Sequence, residues 1–81
     1  MTDEEQRQRL WEELEGLFLD CDEPISDSLF DRRVFYTMRR CYLGGRFQVP
    51  IRQATDADIL CNRNVGSKIL ARVRDFVPAP E

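Results

Sequence analysis

Apolar residues recur at helical spacing over most of the chain. Leu10, Leu14, Leu17 and Cys21 fall at i, i+4, i+7 and i+11, and Trp11, Leu14 and Phe18 widen the same stripe. The pattern predicts an amphipathic helix over residues 3–20 with an acidic outer face. Thr2 stands three residues before Glu5, the spacing of a capping box, and the early acids complement the positive end of the helix dipole. Gly16, inside the helix, costs it about 1 kcal/mol against Ala and is expected to mark a close helix contact. Asp22-Glu23-Pro24 breaks the pattern. A second helix is predicted from Asp31 to Tyr42, burying Val34, Phe35, Met38, Cys41 and Tyr42. Arg32, Arg33, Arg39 and Arg40 stud its outer side, and Gly44-Gly45 ends it.

Phe47, Val49 and Ile51 alternate as a strand would, but the chain offers no partner strand and Pro50 would interrupt a ladder. A short helical turn over 50–54 fits better. Thr55 then caps a short helix, Asp56 to Cys61, with Asp58 completing a second capping box. Residues 62–66 make a tight connection. Ser67 to Val77 is the last helix, with Ile69, Leu70, Val73 and Phe76 facing inward, and Pro78 stops it. The predicted fold is therefore all-α, a compact four- to five-helix domain. Residues 1–22 form an acidic amphipathic helix packed on it, 23–77 the helical domain, and 78–81 a tail.

At 81 residues with 42% apolar content, one small core is feasible. No apolar run approaches the ~20 residues that span a bilayer, and the acidic, polar N-terminus does not read as a leader. A cytoplasmic protein without membrane contact is expected. There is no His, which excludes Ser–His and Cys–His nucleophiles and His metal ligands. Cys21, Cys41 and Cys61 have no zinc spacing and are expected as reduced, small core thiols. No acid–base constellation is visible, so the chain reads as non-catalytic, with no cofactor, metal or small-molecule substrate.

The net charge of −3 hides a split. Residues 1–31 carry eleven acids against Arg7 and Arg9, a balance of −9; residues 32–81 carry ten bases, nine of them Arg, against four acids, a balance of +6. The second part has the charge of a polyanion binder. Arg7, Arg9 and Arg46 read as solvated. The acidic helix has three readings: a solubilising face, a protein contact, or a cover for the basic part.

The segment Ile59–Leu70 concentrates the candidate chemistry. It reads as a short helix, an Asn64-Val65-Gly66 turn, and a helix bearing Lys68 in its first turn, the arrangement of a helix-hairpin-helix-like turn. Such a turn needs residues that tolerate positive φ, which Asn and Gly do. On that basis Gly66→Val is expected to damage both folding and binding. Free N–H groups at the helix start, with Lys68 beside them, suit a phosphate.

The run TDADILCNRNVGSKILARVRD (55–75) resembles the C-terminal domain of the bacterial RNA polymerase alpha subunit. PISDSLFDRR (24–33) is similar to the segment that leads into that family's first helix, and MRRCYL (38–43) to its next block. The resemblance covers residues 24–77 and needs about two extra residues near Gly44-Gly45. It implies a compact all-α fold in which Arg33, Asn64, Gly66 and Lys68 grip the minor groove of AT-rich promoter DNA, weakly and with salt sensitivity. RNA polymerase or transcription factors are then further partners. Tyr36, Ile69 and Arg72 depart from the family pattern; Arg72 is a candidate extra phosphate contact or the mark of a changed protein-binding face. Four matched contact positions imply a salt slope of about 2 to 4. The alternative is an interaction module that mimics or competes with the polymerase domain for transcription factors.

Overall fold

The computed structural model describes residues 2–80. Four α-helices and one 3-10 turn follow in order: α1 (Asp3–Leu19), α2 (Leu29–Leu43), the turn Ile51–Gln53, α3 (Asp56–Leu60) and α4 (Ser67–Phe76). No strand occurs among the described residues. None of their helices is long and apolar enough to cross a membrane. Glu81, the end of the expected tail, lies outside them.

Local chemistry accounts for the helix boundaries. Thr2 Oγ1 accepts from the Glu5 N–H at 3.2 Å. At Thr55 both halves of the capping box form: Thr55 Oγ1 accepts from the Asp58 N–H at 3.1 Å, and the Thr55 N–H donates to Asp58 Oδ2 at 3.0 Å. Helix α2 begins two residues earlier than the apolar pattern indicates, because Ser28 Oγ accepts from the Asp31 N–H at 3.2 Å and caps it. Its far end turns through Gly44 and Gly45, where Gly45 has φ +76°.

The Arg7 guanidinium lies over this turn. A Cβ on Gly45 would stand 2.6 Å from its central carbon. Arg7 is thus not a solvated residue: it is half-buried, and its Nε is buried without a hydrogen-bond partner among the described residues. Gly45→Ala is expected to cost about 1–2 kcal/mol in urea unfolding, since a side chain disfavours this φ and displaces Arg7. Gly16 marks no close helix contact. A Cβ there would meet only Asp20 Oδ2, at an ordinary 3.6 Å.

Helix α1 packs along α2. The apolar stripe centres on Trp11, Leu14 and Phe18, all fully buried, with Leu10 and Leu17 at its margin. Trp11 meets Phe35 edge to face at 5.1 Å, and Phe18 meets Phe76 of α4 likewise at 5.0 Å, so α1 joins the two longest elements of the remaining chain. Cys21 falls outside the stripe because α1 ends at Leu19. It is exposed, as is Cys61, so of the three free thiols only Cys41 is the core residue expected of all of them.

Residues 44–54 close one side of the core with Phe47, Ile51 and Ala54. Tyr42 fixes this segment. Its ring stacks on Phe47 at 4.8 Å, and its hydroxyl donates to the Val49 carbonyl at 2.7 Å. Burial pushes the Tyr42 pKa up, so it remains a donor at any physiological pH.

Candidate nucleic-acid interface

On α2, residues 32 and 33, 36 and 37, and 40 fall on one face. That face turns toward the connection between α3 and α4. The two enclose an open groove of about 990 Å³, lined by Arg32, Arg33, Arg40, Arg46 and Arg63, with Tyr36 between the arginines and Cys41 beneath. Among the described residues no Asp or Glu lines it. Burial pushes the Cys41 thiol pKa up, which leaves the groove's one thiol protonated and a poor nucleophile.

The connection owes its shape to two asparagines. The Asn62 side-chain amide donates to the Asp58 and Ile59 carbonyls at 3.2 and 3.1 Å, closing the end of α3. Asn64 takes the left-handed conformation at φ +72°. Val65 is buried and anchors the turn to the core. Gly66 caps α4 in extended backbone, φ −99° and ψ −179°, without a side-chain acceptor for the first N–H groups of that helix.

The positive φ of the turn therefore belongs to Asn64, and the strain expected at Gly66 is absent. A Cβ on Gly66 would meet nothing within 4 Å. Gly66→Ala is accordingly expected to change stability by less than about 0.5 kcal/mol in urea unfolding.

Of the five site residues read from the sequence, the structure brings four together. Arg33, Asn64, Gly66 and Lys68 line one hollow, which continues into the arginine groove through Arg33, Thr37 and Asn64. The fifth is engaged elsewhere. Arg72 donates from Nε and Nη2 to the two carboxylate oxygens of Asp31 at 2.9 and 3.1 Å, and from Nη1 to Asp75 at 3.0 Å. Its guanidinium carbon also sits 4.8 Å over the Phe76 ring. Arg72 is thus a strut between α2 and α4 rather than a free phosphate ligand.

Asp31, the buried partner, also accepts from the Ser26 N–H at 3.0 Å and the Ser26 hydroxyl at 2.6 Å. The Arg72 guanidinium and then Ser26 hold its carboxyl well below the usual carboxylate range, and the same contact holds Arg72 protonated.

The cations divide into two sets. Arg52 pairs with Glu13 at 3.5 Å, Arg74 with Asp56 at 2.8 Å, and Arg72 with Asp31 and Asp75. Among the described residues, Lys68 and the five groove arginines have no ion-pair partner. Nor does any residue of α1 line the groove, so the acidic helix leaves the groove open and meets the basic part through the Glu13–Arg52 pair. The α2 spacing made Arg32, Tyr36 and Arg40 available to sequence reading as one face. Arg46 and Arg63 reach the groove only through the fold.

No known protein family matches the chain, and no curated protein or solved structure matches it significantly.

Proposed function

We propose that this chain is a small, non-catalytic DNA-binding module that holds the phosphate backbone in the groove between α2 and the α3–α4 connection. One observation carries the reading: five arginines and Lys68 converge on a continuous hollow without an acidic partner among the described residues. Concentrating that much like charge costs stability unless an anion relieves it. Guanidinium groups match phosphate oxygens bidentately, and the uncapped start of α4 adds N–H donors beside Lys68. The resemblance to the polymerase alpha C-terminal domain supports AT-rich DNA and a role in bacterial transcription.

The test is fluorescence anisotropy with labelled AT-rich and GC-rich duplexes. The groove offers six cations, so the logarithmic salt slope on a duplex is expected to be about 5, above the 2 to 4 of the four motif positions. Arg33→Ala and Lys68→Ala should each weaken binding by about 1 kcal/mol with unchanged melting temperature. Arg52→Ala, outside the groove, should change neither; Arg7 is unsuitable as this control because it packs on Gly45. Affinity indifferent to salt and to both groove variants overturns the reading. Leu29 and Phe30 stand 86% and 40% exposed at the groove's edge, which favours a protein partner as the second reading. A pull-down that Leu29→Ser abolishes and Lys68→Ala spares would support it.

A further inference from the structure

We propose that the groove seats a single nucleic-acid strand with an unpaired base stacked on Tyr36. This rests on the nucleic-acid reading above and narrows it from the duplex to strand-separated or unpaired nucleotides.

Tyr36 sits at the middle of α2, yet it is 60% exposed and contributes nothing to the core. Among the described residues its one aromatic neighbour is Phe35, at 82° with centroids 5.4 Å apart, an edge-to-face contact in which Phe35 leaves at least one face of the Tyr36 ring free. The packing against Phe35 also limits the ring's freedom, so a stacking partner would find a partly fixed platform. On the same helix face, Arg32 and Arg33 lie one turn before Tyr36 and Arg40 one turn after. A base laid on the ring would therefore have cations on both sides along the helix, where the flanking phosphates of its own strand run.

Shape favours one strand over two. The cations line a concave groove, with Tyr36 among them and Asn64 and Arg63 on the opposite wall. A duplex keeps its bases stacked inside and presents phosphate ridges, so it would leave the Tyr36 ring facing sugar and phosphate. A single strand can lower its backbone into the groove and turn a base onto the ring. A basic channel with an exposed aromatic platform is the general solution for sequence-tolerant single-strand binding. The Asn64 side chain and the Asn62–Asn64 backbone then supply polar contacts without demanding a sequence.

The experiment compares three labelled probes by anisotropy between about 50 mM and 200 mM salt. They are a twelve-nucleotide oligothymidylate, an abasic strand with the same number of phosphates, and a twelve-base-pair AT-rich duplex. The oligothymidylate should bind about tenfold tighter than the abasic strand and tighter than the duplex, as one stacked base implies. Tyr36→Leu should bring it to the abasic level while leaving the abasic and duplex affinities within about twofold. Tyr36→Phe should keep the wild-type order. Because Tyr36 is exposed, both variants should melt as the wild type does.

Equal binding of the oligothymidylate and the abasic strand, or wild-type behaviour of Tyr36→Leu, overturns the stacking proposal. If the duplex is then bound in an Arg33-dependent way, the broader reading stands without it. Failure of all three probes to bind overturns both.

Discussion

Trp11→Ala is expected to cost about 3–5 kcal/mol of folding stability, the range for removing a fully buried tryptophan. Trp11 is 1% exposed and lies where α1 crosses α2. Its ring meets Phe35 at 5.1 Å and Phe18 at 6.4 Å, and Phe18 in turn meets Phe76 of α4. Truncation removes these contacts together and leaves a cavity that rigid helix backbones on both sides cannot fill. A domain of this size has a total stability on the order of 4–12 kcal/mol, so the variant should be largely unfolded at 37 °C or close to it. Urea unfolding followed by far-UV circular dichroism gives the number directly. Deleting residues 1–20 should have at least as large an effect, because Leu14 and Phe18 leave with Trp11. A midpoint within error of wild type for either change would mean that α1 is an appendage, not a wall of the core. Leu10→Ala, at the margin of the stripe, should cost much less.

The helices were legible because their signals are local. Thr2, Thr55 and the Gly44-Gly45 pair mark ends within a few residues of the groups they satisfy, and the stripes of α2 and α4 name most of their buried residues. The apolar pattern does not reveal Ser28, although its signal is equally local: Ser28 precedes Asp31 by the spacing of a capping box. The competing pull is visible in the structure. The Asp31 carboxylate does not close a box with Ser28 but turns to Ser26 and Arg72.

Other features lay beyond local reasoning. The apolar spacing of α1 runs on to Cys21, but a helix stripe has meaning only while the helix lasts, and α1 ends at Leu19. Cys61 follows α3 at its exposed end. In the turn, Asn64 and Gly66 are both suited to positive φ, and spacing cannot tell which of them takes it; the structure gives it to Asn64 and leaves Gly66 extended. Arg72 lies 41 residues from Asp31, so the sequence offered it as a phosphate ligand with no sign of its acidic partner. The groove is the converse case. Arg46 follows a glycine turn and Arg63 sits in a connection, and neither has a periodicity that assigns it to a face. Only the close approach of two loops to α2 makes them neighbours of Arg40.

Removing the Asp31 carboxylate is expected to cost about 2–3 kcal/mol, at or below the bottom of the range for breaking a buried ion pair because the Arg72 side chain keeps 29% exposure. Asp31→Ala removes the protein acceptor of the Ser26 N–H, leaves the Ser26 hydroxyl with Ser28 Oγ at 3.2 Å, and leaves the Arg72 guanidinium with Asp75 as its carboxylate partner. The double variant Asp31→Ala/Arg72→Met should lose less than the two single changes combined, since each single change strands a partner that the double removes. The pH dependence has a definite sign. The folded-state pKa of Asp31 is depressed, so its contribution to stability is complete above the unfolded aspartate value of about 3.9 and declines as pH falls below it. Urea midpoints measured from pH 7 downward should therefore fall in acid, and Asp31→Asn should fall less steeply from a lower starting point. Parallel profiles for the two proteins would remove Asp31 from the account of acid stability. The consequence reaches the groove. Asp31 immediately precedes Arg32 and Arg33, and its bond to Arg72 fixes the start of α2 against α4, the helix that carries Lys68. Loss of this strut loosens the spacing between Arg33 and Lys68, so Asp31→Ala should also weaken anion binding at temperatures where it remains folded, although Asp31 itself lines neither part of the groove.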